Sequence, residues 1–221
     1  MVSSSPAAAA GCFTQNKVCA APVTYCRQAL EAQGNEGVVG VLTNAGQANA
    51  ATGEQGWEDT LAGAAAAAEA LGVERNAVLI MSTGVIGQRI KMKPYLEGIP
   101  KCVAQLGDDT ESGLAAAQGI TTTDLASKQC AVRVKLPGSG VEVTVGGMAK
   151  GSGMIHPNMA TMLGVVTCDA AVELSAWDSL LRAAVVDSYN QITVRTKAGL
   201  FQGDLIAGIT PQMALCACNQ M

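Results

Sequence analysis

The chain has 221 residues, of which 49% are hydrophobic, 14% are charged and 3% are aromatic, and its net charge is −4. This composition is typical of a folded protein with a buried core, and the acidic balance and scarce aromatic side chains exclude a nucleic-acid-binding surface. A single histidine, His156, rules out a histidine-rich metal site and leaves one imidazole for any histidine-dependent triad. No apolar run approaches the length of a membrane span, and no targeting peptide is visible at Met1.

The first half of the chain alternates predicted strands and helices. Short apolar runs rich in β-branched residues predict buried strands, and Ala-rich or amphipathic stretches predict helices. Gly72 marks the end of the first predicted helix, and Pro94 suits the first turn of the second. The predicted elements are a strand at 38–42 with a polar loop at 43–46, a helix at 58–71, a strand at 77–81 with a turn at 82–87, and a helix at 93–106.

The second half begins with a hairpin signature and loses its periodicity toward the C-terminus. The predicted elements are strands at 129–135 and 141–145 around a turn at 137–140, a strand at 163–168, a helix at 175–188 with Ser175 as N-cap, and a strand starting at 191–194. The C-terminal tail carries no clear pattern. Since no repeat, linker or charge block interrupts the chain, the sequence predicts one mixed α/β (α+β) domain.

Eight cysteines are scattered along the chain without metal or redox spacing. The closest pair, Cys216 and Cys218, is separated by one residue, whereas a CxxC motif needs two. Free cysteine packs as a small hydrophobic residue and persists where disulfides are rare. We therefore predict reduced, mostly buried thiols and an intracellular compartment.

A glycine-rich segment at 146–163 is the most unusual part of the sequence. It is not a P-loop, because that motif needs Gly-Lys-Ser/Thr in this order, whereas Lys150 here precedes Gly151 and Ser152. Glycine content alone favours nothing more than a flexible loop. The residues that follow carry further information.

Within this segment, rigid Pro157 and small Ala160 precede Thr161, at the threshold of a predicted buried strand. Self-cleavage by an N-to-O acyl shift requires such a hydroxyl beside its own upstream carbonyl. Cleavage before Thr161 would free an α-amine that serves as the base for the same residue's hydroxyl, which needs no histidine. The sequence therefore favours an N-terminal threonine nucleophile.

The same segment, 147–164, resembles the self-processing signature of the ornithine acetyltransferase (bifunctional glutamate N-acetyltransferase) family of arginine biosynthesis. Four further blocks resemble this family and follow its order, at 43–53, 82–87, 120–124 and 190–194. The resemblance covers roughly residues 11–194. It implies an enzyme that cuts itself and then transfers acetyl groups.

The resemblance assigns roles to individual residues. It implies cleavage between Ala160 and Thr161, and it makes Thr161 the nucleophile of a ping-pong transfer from N2-acetylornithine to glutamate. Thr83 and Gly84 match the pair that stabilises the oxyanion, a role suited to preorganised donors at the tip of a tight turn. Substrate contacts fall to Lys150 and Thr123, together with Thr161 itself. No metal or cofactor is implied, although acetyl-CoA is a second acetyl donor in the family.

Asp124 and His156, in the same blocks, receive structural interpretations. We expect Asp124 to do no more than cap a helix or turn, and His156 to be structural in its loop. The triple threonine at 121–123 leaves Thr122 as an alternative match for the substrate-binding threonine.

The resemblance also implies an architecture and a cellular setting. The expected fold is a layered αββα-type sandwich to which both fragments contribute strands, and cut chains of the family assemble into a heterotetramer. The substrates are small molecules, with no role for nucleic acid or membrane. The 156–157 and 164–167 segments look like the plant and algal branch, which works in plastids, while bacterial members are cytoplasmic.

After Val194 the sequence departs from the family pattern. We therefore expect a single domain, 1–221, that is incomplete on its C-terminal side, with an α-chain-like segment at 1–160, the start of a β-chain-like segment at 161–221 and a divergent tail at 195–221. Weak or absent turnover follows, since family substrate residues lie beyond this point. Two alternatives stay open: a non-catalytic fragment of the enzyme, and an N-terminal-nucleophile amidohydrolase or aminopeptidase.

Overall fold

The computed structural model describes residues 1–151 and 162–191 and the backbone of 204–209 and 213–214. Within this part, the elements in chain order are β1 (Val2–Phe13), α1 (Ala21–Ala32), β2 (Val38–Gln47), α2 (Gly53–Leu71), β3 (Val78–Val85), α3 (Met92–Ala104), α4 (Thr110–Gly119), β4 (Lys128–Lys135), β5 (Glu142–Lys150), β6 (Leu163–Cys168), α5 (Leu174–Asp187), β7 (Asp204–Ile209) and β8 (Met213–Ala214). No helix among these residues is long and apolar enough to cross a membrane.

Strand β1 connects two groups of strands into one sheet, with the strand order β3-β2-β1-β7-β6-β5-β4. Its first half pairs with β2, with Val2 opposite Gly40 and an irregularity before Ala7, and with β8. Its second half pairs with β7. The β2–β3 and β6–β7 pairs are parallel, and the remaining pairs are antiparallel. One long strand therefore carries the connection between the two groups.

Alternation along β6 shows the layering directly. Leu163 and Val165 contribute to the larger hydrophobic cluster, which also contains side chains of α1 to α4. Val166 and Cys168 point to the second cluster, which contains Trp177 of α5. Because successive strand residues face opposite sides, this part of the sheet is covered on both faces. The predicted layered mixed α/β class is confirmed.

The two helices predicted from Gly72 and Pro94 are present as α2 and α3. Helix α2 ends where Gly72 adopts a left-handed conformation with φ of 68° and returns its amide to the last turn, as a C-terminal glycine should. It begins five residues earlier than predicted, at Gly53 rather than 58. Helix α3 has Pro94 in its first turn, where a missing amide costs nothing.

The predicted loop at 43–46 and turn at 82–87 are wrong for most of their length. Strands β2 and β3 continue in parallel register through these positions, so that Ala45 lies opposite Thr83 and Gly46 opposite Gly84. Polar and glycine residues favoured turns from sequence, but the neighbouring strand supplies backbone partners that override this preference. Thr83 and Gly84 therefore lie within a strand and not at the tip of a tight turn.

Several elements have weak sequence signals. Strand β1 is rich in serine and alanine, and α1 and α4 are short, so none of the three was predicted. The N-cap of α5 is Glu173 and not Ser175, and no side chain caps this end. A 3₁₀ turn occupies Tyr189–Gln191, and the rest of the strand predicted at 191–194 lies outside the described residues. The unpatterned tail supplies β7 and β8.

The described cysteines are divided between core and surface. Cys12, Cys26 and Cys168 are buried, whereas Cys130 is exposed on β4. The prediction of mostly buried thiols is confirmed for the first three, and Cys130 is the exception, because β4 is exposed along its whole length. Cys216 and Cys218 lie outside the described residues.

Tyr25 of α1 contacts the residues at the start of β3 through its hydroxyl. Replacing it by phenylalanine will lower the free energy of unfolding by about 1 to 2 kcal/mol. Its buried hydroxyl lies 2.8 Å from the carbonyl of Arg75 and 3.1 Å from that of Val78, and burial raises its pKa to about 12. Denaturant unfolding measures the loss. Tyr95→Phe is the matched control, because Tyr95 is also buried but has no hydroxyl hydrogen bond among the described residues. Equal losses would contradict the assignment.

Candidate active site

A buried hydrogen bond joins two residues that the sequence singled out. The side-chain nitrogen of Lys150, the last residue of β5, donates to Oγ1 of Thr83 on β3 across 2.8 Å. Lys150 is 5% exposed and Thr83 is 8% exposed. Lys150 is therefore not a solvated surface lysine. The two side chains form a buried polar pair inside a largely apolar core.

The protein environment reduces the proton affinity of Lys150. Burial lowers its pKa below the ordinary value, the negative charge of Asp124 raises it in part, and the positive charge of Lys128 lowers it again. Desolvation disfavours an ammonium that lacks a full set of acceptors. The charged form of Lys150 is thus less favoured here than in water, next to the Thr83 hydroxyl to which it donates.

A second polar network fixes the ends of β2 and β3 beside Thr83. Nδ2 of Asn44 donates to Oγ of Ser82 over 3.0 Å and to the carbonyl of Gln47 over 3.1 Å. The Ser82 hydroxyl donates to the same carbonyl over 2.6 Å. Because these groups are buried and satisfied by one another, they hold the backbone that carries Thr83 in one position.

Gly84 lies in close contact with the neighbouring strand. Its φ is 128°, and a Cβ placed on it would lie 2.2 Å from the carbonyl oxygen of Gly46 and 2.8 Å from the amide nitrogen of Gln47. Only glycine permits both this backbone conformation and this approach. The position of Gly84 is therefore fixed by the close pairing of β3 with β2.

Asp124 connects the loop before β4 to the end of β5. Its side chain is fully buried (0% exposed), and Oδ1 accepts hydrogen bonds from the amide of Gly151 over 2.8 Å and from Lys128 Nζ over 2.5 Å. Burial raises its pKa, but the bonds from Lys128, Gly151 and Thr122 together bring the pKa below the ordinary value. The sequence interpretation, a local cap, accounts for the Thr122 bond alone.

The structure brings together some of the predicted site residues. Lys150 bonds to Thr83, and Gly84 follows Thr83 on β3 as an exposed residue, while Thr123 is exposed in the loop next to Asp124. Ala160, Thr161 and His156 lie outside the described residues. They belong to the segment 152–161, which lies between Gly151, the residue after β5, and Met162, the residue before β6. Since Lys150 pairs with Leu163, the two ends of that segment are neighbours beside the Lys150–Thr83 bond.

A separate cavity of about 240 Å³ lies between β2, α3 and α4. Asn44, Tyr95, Thr121 and Met148 are among the described residues that line it, whereas Thr83 and Lys150 are not. Its lining offers no paired charges. We therefore do not assign the cavity to the chemistry of this site.

The fold and the site together define a class of protein: a layered α/β protein in which a buried amine and hydroxyl lie beside the two ends of the 152–161 segment. The chain belongs to the ArgJ family, whose model matches residues 1–199. The resemblance inferred from the motif blocks is thereby confirmed.

Curated relatives and solved structures agree with this assignment. The chain is 52% identical over 194 residues to the "Arginine biosynthesis bifunctional protein ArgJ" of Thermosynechococcus vestitus, and 53% identical over 194 residues to the chloroplastic ArgJ of Physcomitrium patens. These matches take in 88% of this chain but 45% and 36% of the relatives. The chain thus spans less than half the length of these relatives.

Two crystal structures share the fold. An ArgJ protein from Bacillus halodurans matches with a TM-score of 0.59 and 32% identity, over 72% of this chain and 92% of that one. Ornithine acetyltransferase from Mycobacterium tuberculosis, solved with ornithine, matches with a TM-score of 0.60 and 40% identity, over 68% of this chain and 76% of that one.

Proposed function

We propose that this chain is an amino-acid acetyltransferase of arginine biosynthesis that cuts itself between Ala160 and Thr161. The observation that carries the proposal is the buried Lys150–Thr83 hydrogen bond beside the two ends of the segment that contains this peptide bond. The Thr161 hydroxyl attacks the Ala160 carbonyl, forms an ester and frees the Thr161 amine. Water then cleaves the ester and leaves a carboxylate on Ala160.

After cleavage, the free amine of Thr161 is the base for its own hydroxyl, so no histidine is needed. The hydroxyl takes the acetyl group from N2-acetylornithine, releases ornithine, and passes the acetyl group to glutamate. Acetyl-CoA is a second candidate donor. The relative that was solved with ornithine supports an amino-acid substrate of this kind.

The remaining site residues complete the proposed reaction. Thr83 and Gly84 supply donors to the oxyanion of each tetrahedral intermediate, in a strand whose rigidity removes the cost of reorienting them. Lys150 attracts the carboxylate of the substrate, and exposed Thr123 contacts it from the solvent side. The preorganisation of Thr83 by Lys150 and of Gly84 by its packing supports these roles.

The wider setting is also proposed from the relatives. Cut chains would assemble as a heterotetramer, and the names of several relatives support a plastid location. A cytoplasmic location is the bacterial alternative. Neither the substrates nor this assembly involves nucleic acid.

Thr161→Ala will abolish self-cleavage, because the substitution removes the attacking hydroxyl. We expect the wild-type chain to yield two fragments, 1–160 and 161–221, by intact mass, and the variant to stay whole. Thr110→Ala is the control, since Thr110 is an exposed threonine at the start of α4. It should cut as the wild type does. Acetyl transfer from N2-acetylornithine to glutamate is then assayed separately on the cut protein.

An uncut wild-type chain would contradict the proposal and favour the non-catalytic fragment. A Thr161→Ala chain that is cut at the same bond would show that another nucleophile acts there. Release of ammonia or a peptide in place of acetyl transfer would favour an amidohydrolase or aminopeptidase.

A further inference from the structure

Asp124 holds the main chain at the point where the cleavage segment begins. Its buried carboxylate accepts the amide of Gly151, and Gly151 has a φ of 135°. The preceding residue, Lys150, is fixed by its bond to Thr83. Two successive residues are therefore anchored from two elements that are distant in sequence.

This anchoring has a chemical purpose if the segment cuts itself. An acyl shift needs the hydroxyl and the carbonyl held in attacking geometry, and displacements of about 1 Å cost about 100-fold in rate. A hydrogen bond to a carboxylate is stronger and more directional than one between neutral groups. Burial of the Asp124 side chain also keeps water from competing for the Gly151 amide.

We propose that Asp124 is a positioning residue for self-cleavage, which it serves by clamping the Gly151 amide next to Lys150. This inference rests on the proposed function, because it presupposes cleavage before Thr161. In this role Asp124 acts through the Gly151 amide and takes no part in bond making or breaking. Lys128, whose own side chain is 47% exposed, supplies the counter-charge to the buried carboxylate.

The test compares cleavage rates of the full chain by intact mass over time. Asp124→Ala removes the acceptor, and we expect cleavage to slow by about tenfold or more. Asp124→Asn keeps an oxygen that can accept the Gly151 amide, so it should recover most of the wild-type rate. A role that depends only on the negative charge of the carboxylate would not produce this rescue.

Asp169→Ala is the control for the loss of an aspartate that accepts a main-chain amide at the other end of β5. Asp169 accepts the amide of Thr144 over 2.6 Å, at the end of β5 away from Lys150. We expect its loss to leave the cleavage rate unchanged. Thermal unfolding of all three variants is recorded beside the rates, so that a loss of stability at either aspartate is seen directly.

Four outcomes would overturn a proposal. Three of them would remove the positioning role and leave the proposed function intact. In the first, Asp124→Ala cleaves at the wild-type rate. In the second or third, Asp124→Asn or Asp169→Ala cleaves as slowly as Asp124→Ala. An uncut wild-type chain would remove both.

Discussion

Replacing Gly84 by alanine will destabilise the chain by about 3 kcal/mol or more. The new Cβ would lie 2.2 Å from the carbonyl oxygen of Gly46 and 2.3 Å from its carbonyl carbon. Both atoms belong to the backbone of β2, so no side chain can move aside, and the strand pair itself must shift. The positive φ of 128° adds conformational strain for any residue with a side chain.

Gly87→Ala separates these two contributions. Gly87 also has a positive φ, 75°, but a Cβ there would meet nothing within 4 Å. We expect a cost of about 1 to 2 kcal/mol, the conformational part alone. Denaturant unfolding measures both variants. Similar losses would mean that β2 and β3 relax easily around the new methyl group, and the argument that packing fixes Gly84 would fail.

Lys150→Met will change stability in a way that depends on pH. Burial lowers the pKa of Lys150 in the folded chain, whereas the unfolded chain keeps an ordinary value near about 10.4. The unfolded chain therefore binds more protons between the two values, and wild-type stability rises with pH across this window. The cost of burying the charge is fully present below the folded pKa and is lost as the pH approaches about 10.4.

We therefore expect the free energy of unfolding of Lys150→Met to compare best with that of the wild type at neutral pH. The difference should shrink as the pH rises toward about 10. Every tenfold change in proton affinity corresponds to about 1.4 kcal/mol. Ionisation of tyrosine and cysteine in the unfolded state affects both chains equally and cancels in the difference. Thermal unfolding from neutral to alkaline pH measures it.

Lys135→Met provides the control for the loss of a positive charge alone. Lys135 is an exposed lysine at the end of β4. The difference in stability between Lys135→Met and the wild type should not change over the same pH range. A flat difference for Lys150→Met as well would show that Lys150 is solvated, against its burial and its bond to Thr83.

Much of the fold was predictable where local signals were strong. The Ala-rich pattern and Gly72 located α2, and the apolar runs located β2, β3 and β6. The hairpin of β4 and β5 followed from the turn residues between them. Strand β1 was not predictable, because serine and alanine have no strong strand preference and its three partner strands decide its conformation.

The candidate site was predictable in identity but not in arrangement. Motif matching selected Thr83, Gly84 and Lys150, and burial of the last residue agrees with a role inside the protein. The turn predicted around Thr83 was wrong, because the pairing of β3 with β2 extends the strand. Asp124 was underestimated, since a carboxylate beside threonines in a loop gives the same local signal as a simple cap.

The sequence by itself determined the α/β alternation, the family and the exclusion of a histidine-rich metal site, because these follow from composition, periodicity and contiguous motifs. The tertiary structure decided which groups meet. Lys150 reaches Thr83 across 67 residues, and Asp124 reaches Gly151 across 27. Periodicity shows which side of an element is buried, but only the packed strands determine which polar group lies opposite.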